Sequence, residues 1–197
     1  MAKLSDAKIL GGIGSILMLL SIVHFTFAIV GLILLLIAVK FVSDITGDQD
    51  IFKNMLYAVI IGIVGIVAAF FVFLILFSVA TVSTASVFGV APSFNPSEIG
   101  GGATNSILGL IGGFLAGMAV PWIAFLVSAI FARRSYNGLA SRLGIKIFDT
   151  AGLLYLIGAA LVIVLVGFIL IFVTVILTII GFFSIHEQPQ QVQPSIQ

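Results

Sequence analysis

Three carboxylates, Asp44, Asp48 and Asp50, fall within seven positions in S43-D-I-T-G-D-Q-D50, the densest grouping of potential acid-base or cation-binding groups in the chain. Oxygen ligands at such spacing suit a hard divalent cation. The stretch nevertheless lacks the twelve-position ligand pattern and closing Glu of a helix-loop-helix calcium site. The competing reading is structural: Gly47 ends one helix, and Asp48 or Asp50 caps the next, because a short carboxylate accepts from free backbone N–H groups and complements the helix dipole. Asp149 is placed to open a later helix in the same way. His24 and His186 are the two histidines, and neither lies in H-E-x-x-H. No G-x-S-x-G elbow occurs. The absence of cysteine excludes disulfides, thiolate metal ligands and thiol nucleophiles. The sequence therefore nominates no catalytic residue, no cofactor-binding residue and no metal ligand, and the expectation is a protein that is not an enzyme.

Cations are the next group able to bind something. R133-R-S-Y-N-G-L-A-S-R-L-G-I-K-I-F148 combines Arg133, Arg134, Arg142 and Lys146 with Leu139, Leu143 and Ile147 at the i, i+4, i+8 spacing of one helix face. One reading is an interfacial segment holding anionic lipid head groups, each cation contributing on the order of 1 kcal/mol near the surface. The other is a topology anchor obeying charge bias. A net charge of +1 argues against nucleic acid as a partner.

Positioning these groups requires helices in a membrane. Hydrophobic residues form 61% of the 197-residue chain and charged residues 8%, more apolar surface than one water-soluble core can hide. The apolar blocks Ile9 to Val39, Met55 to about Val90, Ile107 to Ala132 and Ala151 to Ile185 contain no Asp, Glu, Lys or Arg. They are too long and too continuous for barrel strands, so the spans are helical. The first block is also too long for a cleavable signal peptide. Ion-coupled carriers usually place ionisable groups at mid-membrane, which disfavours a pump or proton antiporter.

A bilayer core of about 30 Å needs roughly 20 helical residues, so the first block, of 31 residues, and the last, of 35, raise the question of a turn. If the first block crossed once, Lys3 and Lys8 would lie across the membrane from Lys40, Lys53 and the four later cations. A turn near His24 puts all eight on the cytoplasmic side, as positive-inside bias favours. Ser21, His24 and Thr26 supply polar groups there. For the last block, A7-K-I-L-G-G-I-G-S-I-L17 resembles A151-G-L-L-Y-L-I-G-A-A-L161, and G31-L-I-L-L-L-I-A-V39 resembles G167-F-I-L-I-F-V-T-V175. The match predicts a second hairpin, turning near Val166 and Gly167.

The expected fold is all-α: a polytopic helix bundle over residues 1–185 with about six spans and a short hairpin at each end. Five spans with an external C-terminus is the alternative. Residues 81–105 read as an external loop and 186–197 as a disordered polar tail. Gly109, Gly113 and Gly117 recur every four residues, with Gly112 beside them, and predict close helix packing. Gly11 with Gly14, Gly62 with Gly65, and Gly158 offer further small surfaces. Pro121, before Trp122, removes a helical hydrogen bond and reads as a hinge or as a fixed bend.

With these residues in view, the chain resembles a family of multi-pass membrane proteins found mainly in archaea, whose members open with a segment like A7-K-I-L-G-G-I-G14. That segment is followed by G31-L-I-L-L-L-I-A38, S43-D-I-T-G47, I51-F-K-N54 and A151-G-L-L-Y-L-I-G158. The resemblance covers nearly the whole chain apart from the loop and the tail. It implies an archaeal plasma membrane and supplies no functional residues. Two functions remain. One is a structural or accessory membrane component that packs against lipids, a second copy or another membrane protein. The other is a passive or facilitative pathway for a small neutral or apolar solute, lined by Ser15, Ser21, Thr26, Ser78, Ser128 and Thr174.

Overall fold

The computed structural model describes residues 4–87 and 103–186, and the side chains of residues 4–75, 112 and 117–186. Among the described residues there are six α-helices and no strand: α1 (Leu4–Leu20), α2 (Phe25–Thr46), α3 (Gln49–Val87), α4 (Ala103–Leu143), α5 (Lys146–Leu161) and α6 (Val166–Phe183). Five segments are long and apolar enough to cross a membrane: Phe25–Thr46, Gln49–Ile75, Gly117–Leu143, Lys146–Val164 and Val166–Phe183. Helix α1 has 17 residues, with Asp6 and Lys8 in its first turns. The protein is thus an all-helical bundle suited to a multi-pass membrane position. Helix α3 continues through Val87 and α4 starts at Ala103, so the ends of the expected external loop are helical. Residues 88–102 and the polar tail from 187 lie outside the described residues.

The chain forms two compact units, Met1–Val59 with Ala129–Gln197, and Ile60–Ser128. In the first, α1 packs on α2, α5 on α6, and α1 on α6. The expected turn is present at residues 21–24. His24 adopts an extended backbone as the N-cap of α2, and its side chain accepts a hydrogen bond from the Thr26 amide. Glycine closes the other end of α2, where Gly47 takes φ 71°, a left-handed conformation that costs a residue with a Cβ about 1–2 kcal/mol. Gly144, at φ 69°, separates α4 from α5 in the same way. This break also divides the segment 133–148, so Leu139, fully buried at the end of α4, and Ile147, on α5, do not share one continuous interfacial helix.

The last apolar block is likewise two helices, but its turn comes earlier than expected. A 3₁₀ turn at Val162–Val164 and Leu165 at φ 64° reverse the chain, and α6 begins at Val166. Gly167 does not turn; it lies inside α6 against α5. A methyl group at Gly167 would collide with the Gly158 carbonyl and the Val162 amide, and one at Gly158 would lie 3.1 Å from the Gly167 carbonyl and 3.2 Å from the Ile171 amide. The first hairpin repeats this arrangement. A methyl at Gly31 would lie 2.6 Å from the Gly14 carbonyl and 2.8 Å from the Met18 amide, and one at Gly14 would lie 2.8 Å from the Gly31 carbonyl and 2.9 Å from the Leu35 amide. Residues matched by the internal sequence resemblance thus make matching contacts, Gly14 and Gly158, Gly31 and Gly167, Leu35 and Ile171, as do Met18 and Val162 just beyond the matched stretch. Each hairpin is a pair of antiparallel helices whose backbones touch because neither glycine carries a side chain.

In the second unit α3 and α4 meet through small residues as well. A methyl at Gly62 would lie 3.2 Å from the Ser128 hydroxyl, one at Gly65 3.2 Å from the Ala124 methyl, and one at Gly117 2.9 Å from Val72. Helix α4 runs through Pro121 without a break in its assignment, and Pro121 is buried.

Candidate functional site

Most of the charged and hydrogen-bonding side chains of the first unit gather at one end of its bundle, where α1, α3 and α5 begin and α2, α4 and α6 finish. Three aromatic rings form the apolar floor of this end. Phe148 meets Phe182 edge-on with centroids 5.1 Å apart, and Tyr136 stacks on Phe148 at 6.3 Å. Each aromatic residue rests on a glycine of a neighbouring helix: Phe182 covers Gly11, Phe148 covers Gly181, and the Tyr136 Cβ approaches Gly152. The rings fit because these glycines leave concave helix faces, which is the packing reason for Gly11, Gly152 and Gly181.

Around the rings the polar groups are bonded within the chain. Thr178 donates to the Thr174 carbonyl at 2.8 Å, which leaves the Tyr136 hydroxyl to donate to the Thr178 oxygen at 3.1 Å. Ser135 donates to the Ile51 carbonyl at 2.8 Å, joining α4 to the start of α3. Lys8 donates to the Ile185 carbonyl at 3.1 Å, joining α1 to the residues after α6. With its amide oriented to satisfy both neighbours, Asn137 donates to Asp149 Oδ1 at 2.9 Å and to the Arg133 carbonyl at 3.1 Å. Arg133 Nε is buried without a hydrogen-bond partner, the one such side-chain atom among the described residues.

The carboxylate stretch closes the connection between α2 and α3. Asp48 Oδ1 accepts from the Asp50 amide at 3.2 Å, its backbone carbonyl accepts from Ser43 at 2.8 Å, and its Oδ2 pairs with Arg142 Nε at 3.0 Å. Gln49 donates to Asp44 at 3.2 Å, and Lys53 lies 3.7 Å from Asp50. The carboxylates therefore face separate partners. Among the described residues no three His, Asp or Glu side chains converge on a point.

The four expected lipid-contacting cations are divided in role. Arg142 is paired with Asp48, Arg134 lies over the Phe131 ring at 5.6 Å, Arg133 packs its stem against Gly152, and Lys146 is exposed at the start of α5. Of the predicted packing glycines, Gly117 touches Val72, while the surroundings of Gly109 and Gly113 lie outside the described residues. Gly112 faces open space. Three of the six hydroxyls proposed to line a pathway serve their own helices: Ser15 donates to the Gly11 carbonyl at 2.8 Å, Ser21 to the Met18 carbonyl at 2.6 Å and Thr174 to the Leu170 carbonyl at 2.9 Å. Ser78 lies outside the described side chains. Ser135, Tyr136 and Thr178 were not singled out by sequence reasoning. Their one signal is a polar triplet, S135-Y-N137, directly after a paired arginine.

Helices of this length and apolarity, tied together by glycine contacts and self-satisfied polar groups, define a polytopic helical protein of the membrane class. The chain belongs to the family described as protein of unknown function (DUF996), which it matches over residues 27–182. It is 35% identical over 186 residues to an uncharacterized protein of Methanocaldococcus jannaschii, with 94% of each chain covered. No solved structure matches it significantly.

Proposed function

We propose that this protein is a structural or accessory component of the plasma membrane, acting by helix packing against other membrane components and performing no covalent chemistry. Its N-terminus and its charged bundle end face the cytoplasm, in keeping with positive-inside bias. The observation that carries the reading is how the bundle uses its residues. Small residues are spent on close helix contacts, and the site's hydroxyls, amide and carboxylates are largely spent on partners within the chain. A reaction centre needs groups held in reach of a substrate, whereas Ser15, Ser21 and Thr174 bond to their own backbones. The same bonds argue against the facilitative pathway. Lipids are the constant partner, with the exposed Arg134 and Lys146 disposed toward head groups. A second copy or another membrane protein is the proposed occupant of the face at Gly109, Gly112 and Gly113, and Pro121 acts as a fixed bend.

The test compares two sets of substitutions in cells. A Cβ at Gly112 has no atom within 4 Å, so Gly112→Leu should leave the melting of the purified protein little changed while abolishing co-purification of a stoichiometric membrane partner or copy. His24→Ala, and Asp44→Asn with Asp48→Asn, should leave that association intact. Loss of association with the polar substitutions and none with Gly112→Leu, in properly inserted protein, would overturn the packing reading.

A further inference from the structure

Helix α2 has the length of a span over Phe25–Thr46, but Lys40 and Asp44 lie toward its C-terminal end, and the part of the first hairpin above Lys8 and Lys40 is short and ends in an apolar tip. The contacts Gly11 to Phe182, Phe182 to Phe148 and Phe148 to Tyr136 put these four residues at one level of the bundle. Measured along α1 at 1.5 Å per residue, the turn after Leu20 stands about 17 Å above that level and about 22 Å above Lys8. Measured along α2 from the Gly14–Gly31 crossing, the height is about the same. A hydrocarbon core is about 30 Å thick, and tilt would only lower the tip.

The tip's chemistry agrees with its depth. Ile22, Val23 and Phe25 are 76%, 79% and 71% exposed. No Lys, Arg, Trp or Tyr occurs between Ile9 and Val39 to anchor a second interface. Irregular backbone in an apolar medium must satisfy its own polar groups, and several of this turn's donors are bonded within it. Ser21 N and Oγ both donate to the Met18 carbonyl, Val23 N donates to the Leu20 carbonyl, Phe27 N to the His24 carbonyl, and Thr26 N to His24 Nδ1. The His24 ring also meets Phe27 edge-on at 6.3 Å. The second hairpin differs, because from Phe182 to Val166 α6 rises about 24 Å.

We infer that the first hairpin is a re-entrant element: it enters from the charged side, and Ile22, Val23 and Phe25 dock among the acyl chains of the opposite leaflet, which closes over the tip. The partner of this surface is lipid hydrocarbon. The hairpin consequently adds the cross-section of two helices to the charged-side leaflet and little to the other, whichever protein the bundle packs against.

The chain has no cysteine, so single Val23→Cys and Ser141→Cys variants can carry a nitroxide label in vesicles of phosphatidylcholine with phosphatidylglycerol. Collisions are read with oxygen, which concentrates in hydrocarbon, and with a water-soluble nickel chelate. The oxygen-to-nickel ratio at Val23 is expected to exceed that at Ser141 by about tenfold or more, because a polar solute is excluded from the acyl region. It should fall toward the Ser141 value only as the lipid chains are shortened. Nickel collisions at Val23 equal to those at Ser141 in lipids of ordinary length would put the tip in water and overturn the inference. Phe25→Cys, on the same tip, gives the same reading if Val23→Cys fails to insert.

Discussion

Replacing Gly31 by Ala tests the hairpin crossing with a single methyl group. That methyl would sit 2.6 Å from the Gly14 carbonyl oxygen and 2.8 Å from the Met18 amide nitrogen. Both are backbone atoms of the opposing helix, so no side chain can rotate away, and the helices must separate by several tenths of an ångström. Overpacking of this kind costs about 1–3 kcal/mol, while alanine recovers about 1 kcal/mol of helix propensity. The net expectation is a loss of up to about 2 kcal/mol, which for a chain of this size lowers Tm by up to roughly 4–8 °C. Gly167→Ala should lose at least as much, because its methyl meets the Gly158 carbonyl and the Val162 amide in the equivalent cradle. Gly112→Ala, with no atom in reach, should be neutral or slightly stabilising. The assay is thermal unfolding in a mild detergent, followed by circular dichroism, for the three variants side by side. If Gly31→Ala and Gly167→Ala melt with Gly112→Ala, the helices do not cross at these glycines and the two hairpins are not equivalent units.

Tyr136→Phe removes the hydrogen bond to Thr178 but keeps the ring on Phe148, so it should cost about 1 kcal/mol in the same melting assay. A loss of several kcal/mol would mean that the hydroxyl does more than join α4 to α6. Arg142→Ala and Asp48→Asn each break the pair that ties the end of α4 to the start of α3. Because the arginine side chain is 53% exposed, each should cost less than about 1 kcal/mol, and the double variant should cost little more than either alone.

Charge placement and composition were enough to determine the class of fold and the first turn. Positive-inside bias favours keeping the eight cations on one side, which predicts a reversal within the block from Ile9 to Val39, and the structure reverses the chain at residues 21–24. Pattern matching also carried further than apolar composition promised, since it paired Gly14 with Gly158 and Gly31 with Gly167, the residues that occupy equivalent crossings. Sequence could not fix the second turn. In V162-I-V-L-V-G167 the strongest local turn signal is the glycine, yet helix α5 needs that glycine as a flat surface, so the reversal falls to Leu165 instead.

The charged end was legible only as a list. Asp48, Arg142, Ser135 and Ile51 are separated by up to 94 positions along the chain, and nothing in local spacing pairs them. Only the tertiary packing decided that Arg142 belongs to Asp48, that Tyr136 reaches Thr178, and that Gly11, Gly152 and Gly181 each receive an aromatic residue of another helix. Hydropathy reports that a segment prefers lipid, which is a property of its composition. Which face meets which neighbour depends on helix rotation and depth, and these are set by close contact between residues far apart in sequence.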